Sequence, residues 1–204
     1  MSPQPTADHR LPTDTDDGLL LIISGPSGVG KTTITRAVER AIPGAVFSVS
    51  ATTRKRTAAD VEGVDYRFVT DEEFDRMVAA GEFLEYAGVF GKRYGTPRAW
   101  VQEQLRRGRL VILEIDVQGA VSVKRQVPGA FGIFILPPDE PTLLERLRSR
   151  KRESEEKIQQ RFAEARREIA TARACGAYDL FITNSVLERA IDEAVAAVKS
   201  RLRR

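Results

Sequence analysis

The clearest chemical signal in this chain is a glycine-rich stretch that follows an apolar run. Residues 19–23 are LLLII, and residues 25–32 are GPSGVGKT, which match the phosphate-loop pattern G-x-x-x-x-G-K-[ST] in full. Glycines allow successive backbone N–H groups to point inward toward an anion at the start of a helix. Lys31 would contact the β- and γ-phosphates, and the Thr32 hydroxyl would bind Mg²⁺. The stretch predicts use of a nucleoside triphosphate and leaves the phosphate acceptor open.

The alternative is a glycine-rich turn that joins a strand to a helix and binds nothing. We disfavour it because three glycines, a lysine and a threonine stand at fixed offsets after five apolar residues.

Two further polar groups follow predicted strands. Three basic residues among hydroxyls, at positions 51–57, come after a strand predicted over residues 45–50, where open α/β sheets place ligands. Glu114 and Asp116 end an apolar strand predicted over 110–116, and their spacing of two directs both carboxylates to one side. A ligand amine, a metal-held water or a structural salt bridge would satisfy the two acids, and a solvated loop is the alternative for the basic segment.

Composition narrows the chemistry. The 204 residues, 42% hydrophobic, suit one compact domain, and 32 basic against 29 acidic residues do not by themselves imply nucleic acid. Cys175 is the only cysteine and His9 the only histidine, which disfavours disulfides, thiolate zinc sites and histidine-based catalysis. Residues 1–17 fit neither a secretory signal nor a transit peptide and are interpreted as a disordered leader. We expect a cytoplasmic protein without a membrane span.

The remaining elements must position these groups. Apolar strands are predicted over 131–136 and 178–183, and helices over 32–41, 98–107 and near the C-terminus, where Leu187, Ile191, Val195, Val198 and Leu202 form a stripe. The block between them is rich in strands: a turn into a strand (60–69), a helix capped by Thr70 and Glu73, and a hairpin turning at Gly91-Lys92. This pattern favours a lobe inserted into an α/β core.

A basic helical segment comes before the last strand. A helix predicted over 140–148 runs into residues 146–152, where five of seven residues are basic, and a second helix starts near Ser154 with Arg161 close to its beginning. Arg161 could reach the phosphate loop. Simple solvation is the favoured interpretation for Arg148, Lys151 and Arg152.

Taken together, the motifs resemble those of the guanylate kinase family from about Leu19 to the C-terminus. The segments that carry the resemblance are SGPSGVGK (24–31), FSVSATTR (47–54), GVDY (63–66), GEFLEY (81–86), YGT (94–96), IDVQG (115–119), and Arg146-Leu147 through Arg150 to Arg161. The resemblance implies a P-loop NTPase three-layer α/β fold with a central parallel sheet. It also implies an inserted mixed α/β lobe for the nucleoside monophosphate and a helical lid. The domain would span 18–204, with the core at about 18–49, 98–138 and 168–204, the lobe at 50–97 and the lid at 139–167.

The resemblance implies Mg²⁺-dependent phosphoryl transfer from ATP to GMP in purine nucleotide metabolism, with dGMP as a plausible second acceptor. The ATP-binding residues would be Gly25, Pro26, Ser27, Gly28, Val29, Gly30, Lys31, Thr32, Thr33, Arg146 and Asn184. The GMP-binding residues would be Ser50, Arg54, Tyr66, Glu85, Tyr94, Thr96, Glu114 and Asp116. Lys31, Arg54, Arg150 and Arg161 would be catalytic, and Thr32 would bind the metal.

The resemblance also divides the implied GMP-binding residues between the phosphate and the base. Ser50, Arg54, Tyr66 and Tyr94 would hold the GMP phosphate, while Glu85, Thr96 and Asp116 would contact the base. Guanine presents N1–H and N2–H₂ as donors and O6 as acceptor, which carboxylates and a hydroxyl match. Glu114 stands where the family usually has aspartate and would orient the waters on magnesium.

The chain departs from the family pattern in the loop after Arg54. Members usually carry a second arginine three residues later, and this chain has Thr57, with Arg56 one residue earlier as a possible substitute. The lid has Lys151-Arg152 where the family commonly has Gly-Thr. These departures affect the expected affinity for GMP and the lid hinge more than the reaction.

Three other functions remain open from the sequence. A non-catalytic scaffold could bind phosphopeptides through Arg54, Tyr66 and Tyr94, although such domains typically have a degraded phosphate loop. Thr57 leaves room for a kinase with another small phosphate acceptor. Nucleic-acid binding is disfavoured because the basic segments lack interleaved aromatic residues. We expect a monomer or a weak homodimer.

Overall fold

A computed structural model describes residues 18–89, 91–149 and 154–203, and the predicted leader and Arg150 lie outside the described residues. The strands are β1 (Leu20–Ser24), β2 (Val46–Phe47), β3 (Ala51–Thr52), β4 (Arg67–Phe68), β5 (Phe83–Val89), β6 (Lys92–Pro97), β7 (Val111–Glu114), β8 (Phe131–Leu136) and β9 (Leu180–Thr183). The helices are α1 (Lys31–Ala41), α2 (Asp71–Ala79), α3 (Arg98–Arg106), α4 (Val117–Gln126), α5 (Glu140–Ser149), α6 (Glu155–Ala174) and α7 (Leu187–Leu202).

The central sheet has five parallel strands in the order β2-β7-β1-β8-β9. Residues 20–24 of β1 are all buried, as expected for a parallel strand covered on both faces. One apolar cluster packs α1 and α7 against one face, and a second packs α3 and α4 against the other. This arrangement confirms the predicted three-layer α/β fold. The register pairs Ile23 with Glu114, so the phosphate loop leaves β1 beside the last residue of β7.

A second sheet of four strands, in the order β4-β3-β6-β5, forms with α2 a unit that we refer to as the second lobe, residues 51–97. Helix α2 packs on it through Phe74 and Met77, which are buried with Phe83. The predicted capping box between Thr70 and Glu73 is present. The predicted hairpin is also present, with Gly91 at φ 72° in the turn between β5 and β6.

Helices α5 and α6 pack on each other through Leu143, Leu147, Ile158 and Ala165, and we refer to them as the lid helices. Helix α6 begins near Ser154, as predicted, and Ser154 caps it by accepting from the backbone N–H of Lys157. No helix within the described ranges is both long enough and apolar enough to cross a membrane.

Three local predictions from the sequence were wrong. The predicted strand over 45–50 is reduced to the half-buried pair Val46–Phe47, because β2 is an edge strand that pairs only with β7. The strand predicted over 110–116 ends at Glu114, and Asp116 instead begins α4, a helix that the sequence analysis missed. The apolar stripe predicted for the C-terminal helix is wrong in part. Leu202 of α7 is 42% exposed, whereas Ala190 and Ala194, which the stripe did not include, are buried.

Candidate active site

A cavity of about 740 Å³ opens between the phosphate loop, the end of β7, the second lobe and α6. Its lining brings together residues that are far apart in sequence. These are Gly25, Ser27 and Lys31 from the loop and α1, Ser50 before β3, Tyr66 before β4, Glu85 and Tyr94 from the β5–β6 hairpin, Glu114 at the end of β7, Asp116 before α4, and Arg161, Glu164 and Glu168 from α6. Phosphate-binding, acidic and basic groups therefore face one space.

The phosphate loop has the backbone that its glycines permit. Gly30, the residue before α1, has φ 95°, and a Cβ there would lie 2.7 Å from the side-chain nitrogen of Asn184. The Lys31 ammonium donates to the carbonyl oxygens of Gly25 and Pro26, the latter at 3.0 Å. Lys31 thus folds back over the loop, where a phosphate would meet both the ammonium and the start of the helix.

The other residues of the predicted loop lie around it. Pro26 and Val29 are buried, Ser27 and Gly28 are half-buried, and Thr32 and Thr33 are exposed at the start of α1. Asn184 is buried, and its side-chain amide donates to the backbone carbonyl of Val29 at 2.8 Å. Arg146 donates to the backbone carbonyl of Asn184 at 3.1 Å. The Asn184 side chain therefore supports the loop directly, Arg146 supports it only through the backbone of Asn184, and contact of either residue with ATP stays a prediction.

Thr32 and Glu114 form a pair of oxygen donors at the edge of the loop. The Thr32 hydroxyl donates to a Glu114 carboxylate oxygen at 2.9 Å. Oxygen donors suit Mg²⁺, which usually keeps several waters and binds one or two protein groups together with substrate phosphates. Within the described residues no group of three acidic, cysteine or histidine side chains could hold a metal. The hydroxyl of Thr32 and the carboxylate of Glu114 fit an ion whose other ligands come from a nucleotide and water.

Glu85 is a buried carboxylate of the second lobe. It pairs across the hairpin with Thr96, whose hydroxyl donates to it at 2.5 Å. Thr96 is 1% exposed and does not line the cavity, so it orients Glu85 instead of facing the open space. Burial, and next the charge of Asp116, raise the pKa of Glu85 to about 7, against the opposing hydrogen bond from Thr96.

Asp116 reaches the cavity from the core. As the residue that caps α4, it accepts from the backbone N–H of Gly119 at 2.7 Å, which fixes its side chain at the helix start. Gly119 is also where the core approaches Glu85, because a Cβ on it would lie 2.7 Å from a Glu85 carboxylate oxygen. Carboxylates from the second lobe and the core therefore converge.

The residues predicted for the acceptor phosphate differ in position. Ser50, Tyr66 and Tyr94 line the cavity, and the two tyrosine rings meet edge to face at 5.6 Å between centroids. Arg54 does not line it. Its guanidinium lies 5.0 Å from the Tyr66 ring centroid and forms a bidentate ion pair with Asp60.

Arg161 reaches the loop as predicted, with one nitrogen 3.3 Å from the Ser27 hydroxyl oxygen. Two lid residues that sequence reasoning missed, Glu164 and Glu168, also line the cavity on the same face of α6. Burial raises the pKa of Glu168, and the charge of Lys31 opposes this shift. The spacing from Arg161 by three and seven residues was the available signal, because such positions share a helix face.

A phosphate loop after the first strand of a parallel sheet, a second lobe whose polar residues face that loop, and helices placed over both define a P-loop nucleotide kinase. Comparison with known proteins identifies the particular family. A sequence profile of the guanylate kinase family matches residues 18–203. The chain belongs to the guanylate kinase family.

Individual guanylate kinases are also similar to this chain. A guanylate kinase from Anaeromyxobacter dehalogenans is 48% identical over 205 residues, covering 100% of this chain and 88% of that protein. One from Symbiobacterium thermophilum is 46% identical over 181 residues, covering 89% of this chain and 84% of that protein. The crystal structure of guanylate kinase from Anaplasma phagocytophilum superposes with a TM-score of 0.76 at 32% identity, covering 93% and 88% of the two chains.

Proposed function

We propose that this chain transfers a phosphoryl group from ATP to GMP, giving ADP and GDP, and that both nucleotides bind in the cavity described above. The observation that carries the assignment is the convergence of Glu85 and Asp116 in the same cavity as Lys31. Two acceptor groups for guanine donors thus face a binding site for triphosphate.

At the ATP end, the backbone of residues 25–30 and Lys31 bind the phosphates, and Arg146 and Asn184 support the loop on the adenine side. Thr32 and Glu114 are the residues that would hold Mg²⁺ or its waters. Bound there, the metal would neutralise charge on the phosphate oxygens.

At the GMP end, Glu85 and Asp116 accept hydrogen bonds from N1–H and N2–H₂ of guanine, and Thr96 keeps Glu85 in place. Adenine offers an unprotonated N1 and no N2 amine, so it would leave buried acceptors unpaired. Sites of this kind discriminate by roughly 10⁴-fold or more. Ser50, Tyr66 and Tyr94 bind the phosphate by their hydroxyls, with Arg54 behind them.

The chemical step relies on positioning and charge. The transferring phosphoryl group carries negative charge on its equatorial oxygens, which Lys31 and Arg161 stabilise from the loop and the lid. Arg54 neutralises the acceptor phosphate. Arg150 was predicted to assist from the lid. Closure of the second lobe and lid on the substrates excludes water, which would otherwise compete as the acceptor.

A coupled assay of ADP release tests the function. We expect turnover with GMP, slower turnover with dGMP and negligible turnover with AMP, each dependent on Mg²⁺. Turnover with AMP and none with GMP would reject the proposal. The phosphopeptide-binding scaffold is not favoured, because the phosphate loop, Lys31 and Thr32 are intact.

Three further expectations belong to the same proposal. The protein acts in the cytoplasm, in purine nucleotide metabolism, and exists as a monomer or a weak homodimer. Light scattering over a range of protein concentrations, with and without GMP, measures the oligomeric state. A tight dimer at low concentration would contradict the expectation.

A further inference from the structure

The loop between β3 and β4 contains a hydrogen-bond cluster centred on Asp60. Its carboxylate accepts from both terminal nitrogens of Arg54, from Nη1 at 3.0 Å and from Nη2 at 2.7 Å. It also accepts from the backbone N–H and the hydroxyl of Thr57, each at 2.7 Å. Four donors therefore fix a single carboxylate, whose side chain is 14% exposed.

Asp60 binds only one of the two hydrogen-bonding edges of the Arg54 guanidinium. A guanidinium group has two edges able to form paired hydrogen bonds, one through Nη1 and Nη2 and one through Nε and Nη2. Asp60 occupies the first edge, and Nη1 also donates to the Lys55 carbonyl at 3.2 Å. Among the described residues Nε of Arg54 has no acceptor. The unengaged edge matches the paired oxygens of a phosphate.

Two aromatic rings also contact the same guanidinium. It lies 5.0 Å from the centroid of Tyr66 and 5.3 Å from that of Phe68. Tyr66 is itself part of the cavity lining. Arg54 is therefore held at one edge by Asp60 and lies against two rings, one of which lines the cavity together with Ser50 and Tyr94.

We propose that Asp60 is the positioning residue for the acceptor phosphate: it holds Arg54 by the Nη1–Nη2 edge and so presents the Nε–Nη2 edge to the phosphate of GMP. The inference rests on the proposed GMP site. Thr57, where the family resemblance led us to expect a second arginine, contributes two donors to this clamp. The loop thus has one rigidly oriented arginine where two were expected.

Arg56 does not replace the missing cation in this arrangement. It is exposed, and its Nε donates to the backbone carbonyl of Asp60 at 3.1 Å, which ties it to the loop. Phosphate binding by the loop depends on the orientation of Arg54.

Kinetics of Asp60→Ala and Asp60→Asn test the proposal against its opposite, in which Asp60 competes with the phosphate for Arg54. Positioning predicts that the KM for GMP rises by about tenfold to hundredfold while the KM for ATP stays unchanged. Competition predicts a lower KM for GMP. An unchanged or lowered value in both variants would overturn the proposal, and Asp60→Glu should restore part of the affinity.

Guanosine separates phosphate positioning from a general disturbance of the lobe. Because guanosine lacks the phosphate, its inhibition constant against GMP should be the same for Asp60→Ala and the unchanged protein. Equal losses for guanosine and GMP would show that Asp60 merely maintains the fold. Asp75→Ala is the matched control, since it removes another carboxylate paired with an arginine, Arg93, in the same lobe and away from the cavity.

Arg54→Ala distinguishes a failure of the proposed GMP site from a failure of the positioning role of Asp60. If it leaves the KM for GMP unchanged, the placement of the phosphate next to Arg54 is wrong. If Arg54→Ala raises the KM and Asp60→Ala does not, the proposed site stands and the positioning role fails. In the Arg54→Ala background, Asp60→Ala should have little further effect, because its action passes through Arg54.

Discussion

The Thr32 hydroxyl donates to Glu114 at 2.9 Å, which joins the first turn of α1 to the last residue of β7. The contact follows from the sheet order, since β7 lies next to β1 and Ile23 is paired with Glu114. It places a hydroxyl and a carboxylate side by side at the edge of the phosphate loop, and such oxygen donors are the protein groups that Mg²⁺ prefers.

Thr32→Val should raise the Mg²⁺ concentration needed for half-maximal rate and lower kcat by about tenfold or more. Valine keeps the shape of threonine and removes the oxygen. The KM for GMP should stay unchanged, because Thr32 lies beside Glu114 at the phosphate-loop end of the site, away from the residues proposed to bind GMP. A titration of the rate with Mg²⁺ measures this, and Thr33→Val, at the next exposed position of α1, is the control.

Lys31→Ala should lower kcat by about 10²-fold to 10³-fold, because it removes a positive charge beside the transferring phosphoryl group. The fold should persist, and thermal unfolding checks that it does. Lys199→Ala, an exposed change on α7, should leave the rate unaltered. A fully active Lys31→Ala variant would favour a function that does not use the phosphate loop.

Gly119→Ala should displace Glu85, because the new methyl group would lie 2.7 Å from a carboxylate oxygen. We expect the KM for GMP to rise by about tenfold to hundredfold, with little change in the KM for ATP. Gly129→Ala is the matched control, since a Cβ there meets nothing within 4 Å. Equal effects of the two substitutions would contradict the contact between α4 and Glu85.

GMP binding should weaken as the pH falls below about 7. The pKa of Glu85 is raised to about 7, first by burial, and only the ionised carboxylate accepts from both guanine donors. The KM for GMP should increase toward about tenfold per pH unit below that value. In Glu85→Gln this dependence should vanish, and the KM should be at least about tenfold higher at pH 8. An equally steep profile in the variant would assign the titration to another group.

The same carboxyl makes unfolding pH-dependent. Between the ordinary pKa of 4.5 and about 7, the unfolded chain releases the Glu85 proton and the folded chain keeps it. The free energy of unfolding therefore falls as the pH rises through this window, and the loss is complete above it. Glu85→Gln lacks the effect, so without ligand it should gain stability relative to the unchanged protein from pH 4.5 to 7. Denaturant unfolding at pH 5 and pH 8 measures the free energy of unfolding of both proteins. A variant whose stability falls relative to the unchanged protein between these pH values would refute the prediction.

The sequence alone was sufficient for the family, the three-layer fold and the phosphate loop. These depend on local information: Gly25, Gly28 and Gly30 set the loop backbone, Lys31 and Thr32 follow it directly, and apolar runs mark buried strands. The capping box at Thr70 and the turn at Gly91 were predictable for the same reason. Helix α4 was not predicted, because the spacing of two between Glu114 and Asp116 also fits a strand, and the strand predicted on that basis ran across the helix cap at Asp116.

What only the tertiary structure decided is which side chains meet. Strand pairing places the Thr96 hydroxyl on Glu85, and the packing of α4 against the second lobe brings Asp116 and Gly119 near the same carboxylate. The loop after β3 folds so that Asp60 binds Arg54 and Thr57, and no sequence pattern predicted this contact. Such contacts depend on register and on the approach of separate elements, which vary continuously with packing across the whole chain and leave no mark on any short stretch of sequence.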